Sequence, residues 1–354
     1  MVCATPPAVQ TWERPPRQTN PRKSRHPLTP SGHSASPLAA TFGRRCLLAA
    51  LAVGTFVLAG CGPGVGTTAD TTTVIEATPT EIVVFATGAE YVVGENRFSF
   101  GLFSHDNVFI PGATVQVDFY QLDTGEPVLR SSAPAVYRET VAETRHFHDD
   151  GEDHLHQEAT GVYVVDAAQF DEPGIWGARM EVTMPATGAL EHPALALEVR
   201  AEPAAVAVGE PAPASQTPTT NYGATLDAVS TMLEPVPAFY EQTVAEALAT
   251  GRPLVVAFAT PAFCVSRMCG PVMDVVAAVH RDYGDRTRFV HVEPYDLESA
   301  RTTGRLKLTT AANEWRLPTE PWVFVVGADG IVRARFEGLF GADELVTALK
   351  PLLN

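Results

Sequence analysis

The amino-acid sequence predicts a multi-domain chain, an N-terminal β-sandwich followed by a C-terminal α/β domain, on three observations. Between residues 81 and 200 short β-like runs recur without helical period: IVVFAT, NRFSFGLF, ATVQVDFYQL, GVYVVDAAQF, GARMEVTM and ALALEVR. Turn residues separate them, the spacing expected of a small sandwich. Residues 201–222 open AEPAAVAVGEPAPASQTPTT, which reads as a semi-rigid Pro/Ala linker. Beyond it, residues 223–354 carry an apolar run (Pro253–Ala259), a loop with two cysteines, and valines 272, 275, 276 and 279 at helical spacing. That succession predicts strand, loop and helix.

Ahead of the sandwich, residues 1–60 read as a leader and signal peptide. Residues 1–43 are rich in proline and basic residues, then Arg44-Arg45 precede the apolar run Cys46–Gly60. A positive segment, a short apolar stretch and small residues at its end describe an export signal, and paired arginines fit a twin-arginine route. The run is shorter than the roughly 20 residues of a spanning helix. Its ending, LAGC, resembles the bacterial lipobox, which implies lipid on Cys61 and an extracytoplasmic, membrane-anchored protein. Residues 61–80, threonine-rich and without a core pattern, read as a tether.

The formal charge is −16. Seven of the 25 Lys/Arg but only one of the 41 Asp/Glu lie in the first sixty residues, so the remainder is more acidic still. Nucleic acid is excluded as a partner, because phosphate binding needs a basic face.

Within the sandwich, Arg145–Glu158 reads RHFHDDGEDHLHQE. A hairpin turning through residues 149–153 pairs His148 with His154 and His146 with His156. Alternate residues share a strand face, so the four imidazoles are expected on one side, where they could hold Zn²⁺ or Cu²⁺. A solvated acidic-histidine loop is the alternative. FDEPGIWGARMEV resembles the late hairpin of immunoglobulin-like bacterial envelope modules.

Export leaves Cys264 and Cys269 as the remaining thiols, in a compartment where disulfides persist. Their loop, ATPAFCVSRMCGP, precedes the helix, which offers a sulfur the dipole and free amides of an N-terminus. An unbroken helix would hold residues i and i+5 about 8 to 9 Å apart, too far for a disulfide. Pairing therefore requires 265–268 to be a non-helical loop, with the helix starting near Cys269 and Pro271 in its first turn. Spacing leaves open which sulfur is the nucleophile.

From about Tyr240 to the end, this arrangement resembles a thioredoxin-like domain. LPTEPWVFVVGADGIV (Leu317–Val332) resembles that family's cis-proline loop and following hairpin, with Pro321 fitting the proline better than Pro318. Two departures stand out: the cysteines are C-x4-C, and the strand before them (Val255, Val256, Ala257, Phe258) lacks the buried acid common in the family.

The resemblance implies thiol–disulfide exchange with exported proteins that carry thiols or disulfides. Cys264, Cys269 and Pro321 would form the site, with no cofactor required. The wider cysteine spacing also resembles that of copper-assembly relatives, so Cu(I) binding at the sulfurs with the histidine hairpin is a second expectation. A non-catalytic envelope binding module is a third. His280 is expected to face outward, and His291 to be a satisfied sheet residue.

Overall fold

The chain was analysed as a computed structural model, which describes residues 82–353 apart from 124, 141–143, 148–152 and 157–160. The leader, Cys61, the tether and His148 lie outside the described residues.

Eleven strands precede residue 201: β1 (Ile82–Ala86), β2 (Tyr91–Val92), β3 (Gly94–Ser104), β4 (Thr114–Gln121), β5 (Val128–Glu139), β6 (Thr144–Phe147), β7 (Asp153–His156), β8 (Gly161–Phe170), β9 (Gly174–Thr183), β10 (Leu190–Glu191) and β11 (Ala194–Arg200). Strict alternation builds β4 and β9. Val115, Val117 and Phe119 turn inward from one, and Trp176, Ala178, Met180 and Val182 from the other. Their core includes Phe98, Phe119, Phe170 and Trp176, whose rings meet edge-on at 5.0 to 5.4 Å. Each buried side chain of this kind contributes roughly 2 to 3 kcal/mol.

The C-terminal part adds β12 (Leu254–Phe258), β13 (Arg288–Val292), β14 (Trp322–Val326) and β15 (Val332–Glu337). They form a sheet in the order β13-β12-β14-β15, with β12 parallel to β13 and the other pairs antiparallel. The α-helices are α1 (Leu226–Val229), α2 (Val244–Ala249), α3 (Cys269–Tyr283), α4 (Leu297–Thr303), α5 (Thr310–Glu314) and α6 (Ala342–Leu349). Among the described residues only α3 and α6, at 15 and 8 residues, exceed two turns. No helix among the described residues is long and apolar enough to cross a membrane.

The expected fold class, a β-sandwich plus a C-terminal α/β thioredoxin-like domain, is therefore corrected. The molecule is mostly β, with one curled nine-stranded sheet and a separate four-stranded sheet. The nine strands follow one path, β1-β3-β8-β5-β4-β9-β11-β2, with β10 on β9. The strand that joins the halves is β5. Residues up to Ala135 pair with β4, and Val136–Glu139 pair with β8. It lies outside the runs that predict strands, because Ser131, Ser132 and Pro134 interrupt it and neither face is fully buried.

The two sheets share a core, which is why they do not separate. Val162 and Val164 of β8 pack in the same cluster as Val323, Phe336 and Leu345. Ion pairs cross the junction: Arg97 to Glu344 at 2.7 Å and Arg335 to Glu90 at 2.6 Å. Glu337 Oε2 accepts the amides of Ala89 and Glu90, each at 2.8 Å.

The Pro/Ala stretch also differs from a free spacer. Ala205 and Val206 are buried in the core beneath Trp315, and Gly209, Glu210 and Ala212 exchange backbone hydrogen bonds with Gly330 and Val332. Small side chains let this strap lie close to the start of β15.

The histidine hairpin has a different register from the expected one. His146 stands across from His154, and Thr144 across from His156. Phe147 pairs with Asp153, so the pairing of the described residues is displaced by two residues from the expected register.

Candidate functional site: the cysteine end of the four-stranded sheet

Three chain segments leave the same end of this sheet. Parallel pairing ends β12 at Phe258 beside Val292, and antiparallel pairing starts β14 at Trp322 beside Phe258. The residues just past these ends, from 259 to 268, from 293 to 296 and from 319 to 321, therefore gather in one place. The peptide Glu320–Pro321 is cis. Within the loop, Thr319 Oγ1 accepts the Trp322 indole N–H at 3.0 Å and donates to Glu337 at 2.5 Å.

Residues 261–267 form turns, Arg267 takes a left-handed φ of 58°, and α3 begins at Cys269 with Pro271 in its first turn. This is the non-helical loop that the cysteine spacing requires. Pro271 suits the position because the first turn's amides have no intrahelical acceptor. Val272, Val275, Val276 and Val279 are all buried. His280 is not outward: its ring meets Phe239 and Phe289 edge-on at 5.0 and 5.1 Å. His291 is fully enclosed, between the Tyr240 hydroxyl at 2.7 Å and the Ala259 carbonyl at 2.9 Å. Burial keeps it neutral, with its pKa down at about 4.

The two thiols are free and sit in opposite environments. The helix cap, Met268, offers no side-chain acceptor. Cys264 Sγ takes that place, accepting the Cys269 amide at 3.3 Å, with the Ser266 hydroxyl at 3.2 Å. A hydrogen bond from the Cys269 thiol does most to stabilise its thiolate. Burial opposes this, and the Ser266 hydroxyl and the Cys269 and Met268 amides assist, so its pKa falls to about 6. At pH 7 the thiolate is therefore the favoured form of Cys264. Cys269 is fully buried. Burial, then its bond to Cys264 and the Cys264 charge, push its pKa far up. The two sulfurs thus differ electrostatically: Cys264 is the one favoured as thiolate and Cys269 the one held protonated.

Residues that the sequence did not single out complete the site. Tyr295 donates its hydroxyl to Glu320 Oε2 at 2.5 Å. Burial raises the pKa of Glu320. Glu293 Oε1 accepts the Thr231 amide and hydroxyl at 2.6 and 2.7 Å, and Thr231 Oγ1 in turn accepts the Ala262 amide at 3.1 Å. Glu293 thus ties a neighbouring loop to the cysteine loop. The Thr260 side chain also acts on this carboxylate. Burial lifts its pKa to about 7. An acid directly after the apolar run RFVHV is the signal that could have found Glu293.

No protein-family model matches the chain, and no curated protein is detectably similar to it.

Proposed function

We propose that this protein is an extracytoplasmic thiol–disulfide exchange protein, anchored to the membrane by lipid on Cys61, that acts on exported proteins carrying thiols or disulfides. The observation that supports the reading is the asymmetry of the cysteine pair. A partly exposed thiolate accepts the first amide of α3, beside a buried, protonated thiol. Attack needs a thiolate that is reachable, and resolution needs a second sulfur held close behind it. Pro321 sits in the loop facing that end of the sheet, where it would shape the partner's groove. The reading rests on these residues and not on a fold assignment. The exchange needs no cofactor.

Titration of the purified full chain against glutathione, read by alkylation and mass, tests it. A reversible Cys264–Cys269 disulfide with a potential between about −270 and −120 mV is expected. A disulfide locked below about −300 mV would be a structural staple. Thiols that never pair but bind Cu(I) stoichiometrically would replace exchange with metal handling.

A further inference from the structure

Resting on the exchange reading, a chemical need remains at Cys269. Its thiol is fully buried and must lose a proton before its sulfur can attack Cys264. Water has poor access, so the acceptor must come from the protein.

Two carboxylates stand at this end of the sheet. Glu293 has one oxygen committed to Thr231, and its charge acts on Tyr240. Glu320 is placed differently. It lies two residues before Trp322, and Thr260 lies two residues after Phe258, the strand partner of Trp322. The Thr260 backbone is hydrogen-bonded to Cys269, and the Glu320 charge acts on that same thiol. Tyr295, bonded to Glu320, feels the charges of both sulfurs. Among the described residues, the influences on Glu320 itself are its own burial and the Tyr295 hydroxyl. Tyr295 is in turn fixed by its bridge to Leu308 and by the Asp296 amide on Lys307. The half-buried Glu320 carboxylate is held by one hydroxyl at the end of the sheet that carries the thiol pair, and no ion pair to it is present among the described residues.

We propose that Glu320, seated by the Tyr295 hydroxyl, accepts the proton of the Cys269 thiol in the resolving step. The Cys264 thiolate attacks one sulfur of the partner's disulfide. A Cys264–partner bond forms, the partner's S–S bond breaks, and the released thiolate takes a proton from solvent. Cys269 then gives its proton to Glu320, and its sulfur attacks Cys264 Sγ. The mixed disulfide breaks, the second partner sulfur leaves as thiolate, and Glu320 returns its proton to that sulfur or to water. The partner's disulfide gains two electrons and the Cys264–Cys269 pair loses two. Burial above all, then Cys264, and least the Glu320 charge keep the Cys269 thiol protonated at rest, and Glu320 removes its proton once a mixed disulfide is in place.

The test is a single turnover of the reduced full chain with glutathione disulfide, quenched in acid and read by mass. In the native chain a glutathione adduct on Cys264 forms and decays to the internal disulfide. In Glu320→Gln the adduct is expected to accumulate, with resolution slowed at least about tenfold. The rate of resolution should then climb steadily with pH as hydroxide replaces the carboxylate, where the native rate levels off. Glu320→Asp should recover part of the native rate, and Tyr295→Phe should fall between native and Glu320→Gln. Resolution at the native rate and pH profile in Glu320→Gln overturns the proposal, as does equal slowing of both steps, which marks general distortion. If no adduct forms on the native chain, the exchange reading itself fails.

Discussion

In the nine-stranded sheet the buried Tyr163 hydroxyl accepts the Ala113 amide and donates to the Ile110 carbonyl, both at 2.8 Å. Trp176, fully buried, gives its indole N–H to Glu172 O at 3.1 Å. At the cysteine end of the four-stranded sheet the pattern reverses. Glu293, bonded to Thr231 and set against the Thr260 side chain, is lifted by burial to a pKa of about 7, and Cys269 is sealed in with a proton that it holds tightly. Burial disfavours the charged form of an ionisable group, and groups perturbed in this way cluster where chemistry is done. Tyr163 and Trp176 are neutral groups with their hydrogen bonds made, whereas Glu293 and Cys269 are ionisable groups held out of water.

The largest effects should fall on the reactive end. Cys264→Ser should abolish glutathione adduct formation altogether, and Cys269→Ser should form the adduct and keep it. Intact mass after reaction with glutathione disulfide reads both. An adduct that decays in Cys269→Ser at the native rate would remove Cys269 from the resolving role.

Next in size is a change to the other sheet. Phe119→Ala empties space among Phe98, Phe170 and Trp176 and should cost about 3 to 5 kcal/mol in denaturant unfolding. Because the sheets share a core through Val162 and Val164, unfolding should remain one transition. The Cys264 pKa, read by thiolate absorbance, should not move. A variant that shifted that pKa would blur the division between the two ends.

A smaller and pH-dependent effect separates them by sign. Burial raises the Glu293 pKa to about 7, above its ordinary value near 4.5. A raised acid binds its proton in the folded state before the unfolded one does. Its contribution is fully present below about pH 4.5 and is lost as pH rises through 7. Glu293→Gln keeps an acceptor for Thr231 and needs no charge in the interior. It should therefore stabilise the chain at pH 8 by on the order of 2 kcal/mol and flatten the decline between pH 4.5 and 7. A substitution at a reactive end that raises stability is the opposite of Phe119→Ala. Loss of stability at pH 8 would show that the carboxylate is needed as an ion.

The strand, loop and helix around the cysteines were legible because their signals are local. Valines 272, 275, 276 and 279 mark a helical face, and Pro271 marks its first turn. The cis peptide before Pro321 was expected only from the family resemblance, which favoured Pro321 over Pro318 without spacing alone deciding between them. What escaped depends on partners distant in sequence. Ala205 and Val206 look like linker until β15 and Trp315 cover them. Nothing within Val128–Glu139 shows that one strand serves two neighbours. The Tyr295–Glu320 bond joins residues 25 apart, so it is invisible to any window of the sequence.

The smallest change is also the most selective. Ser266 lies on the exposed loop, and its hydroxyl at 3.2 Å is one of several groups that stabilise the Cys264 thiolate. Ser266→Ala removes that one donor and leaves the Cys269 amide and thiol in place. A hydrogen bond to a charged group contributes about 1 kcal/mol where solvent can partly replace it, and a pKa unit corresponds to about 1.4 kcal/mol. The Cys264 pKa should rise from about 6 by roughly half a unit to one unit. Adduct formation at pH 6 should slow by a few-fold, and the difference should vanish above pH 8, where both thiols are ionised. Stability in denaturant should stay within about 0.5 kcal/mol of native. A large loss of stability would make Ser266 part of the frame holding the loop. A pKa that does not move would leave the Cys269 thiol and the Cys269 and Met268 amides as the whole source of the thiolate.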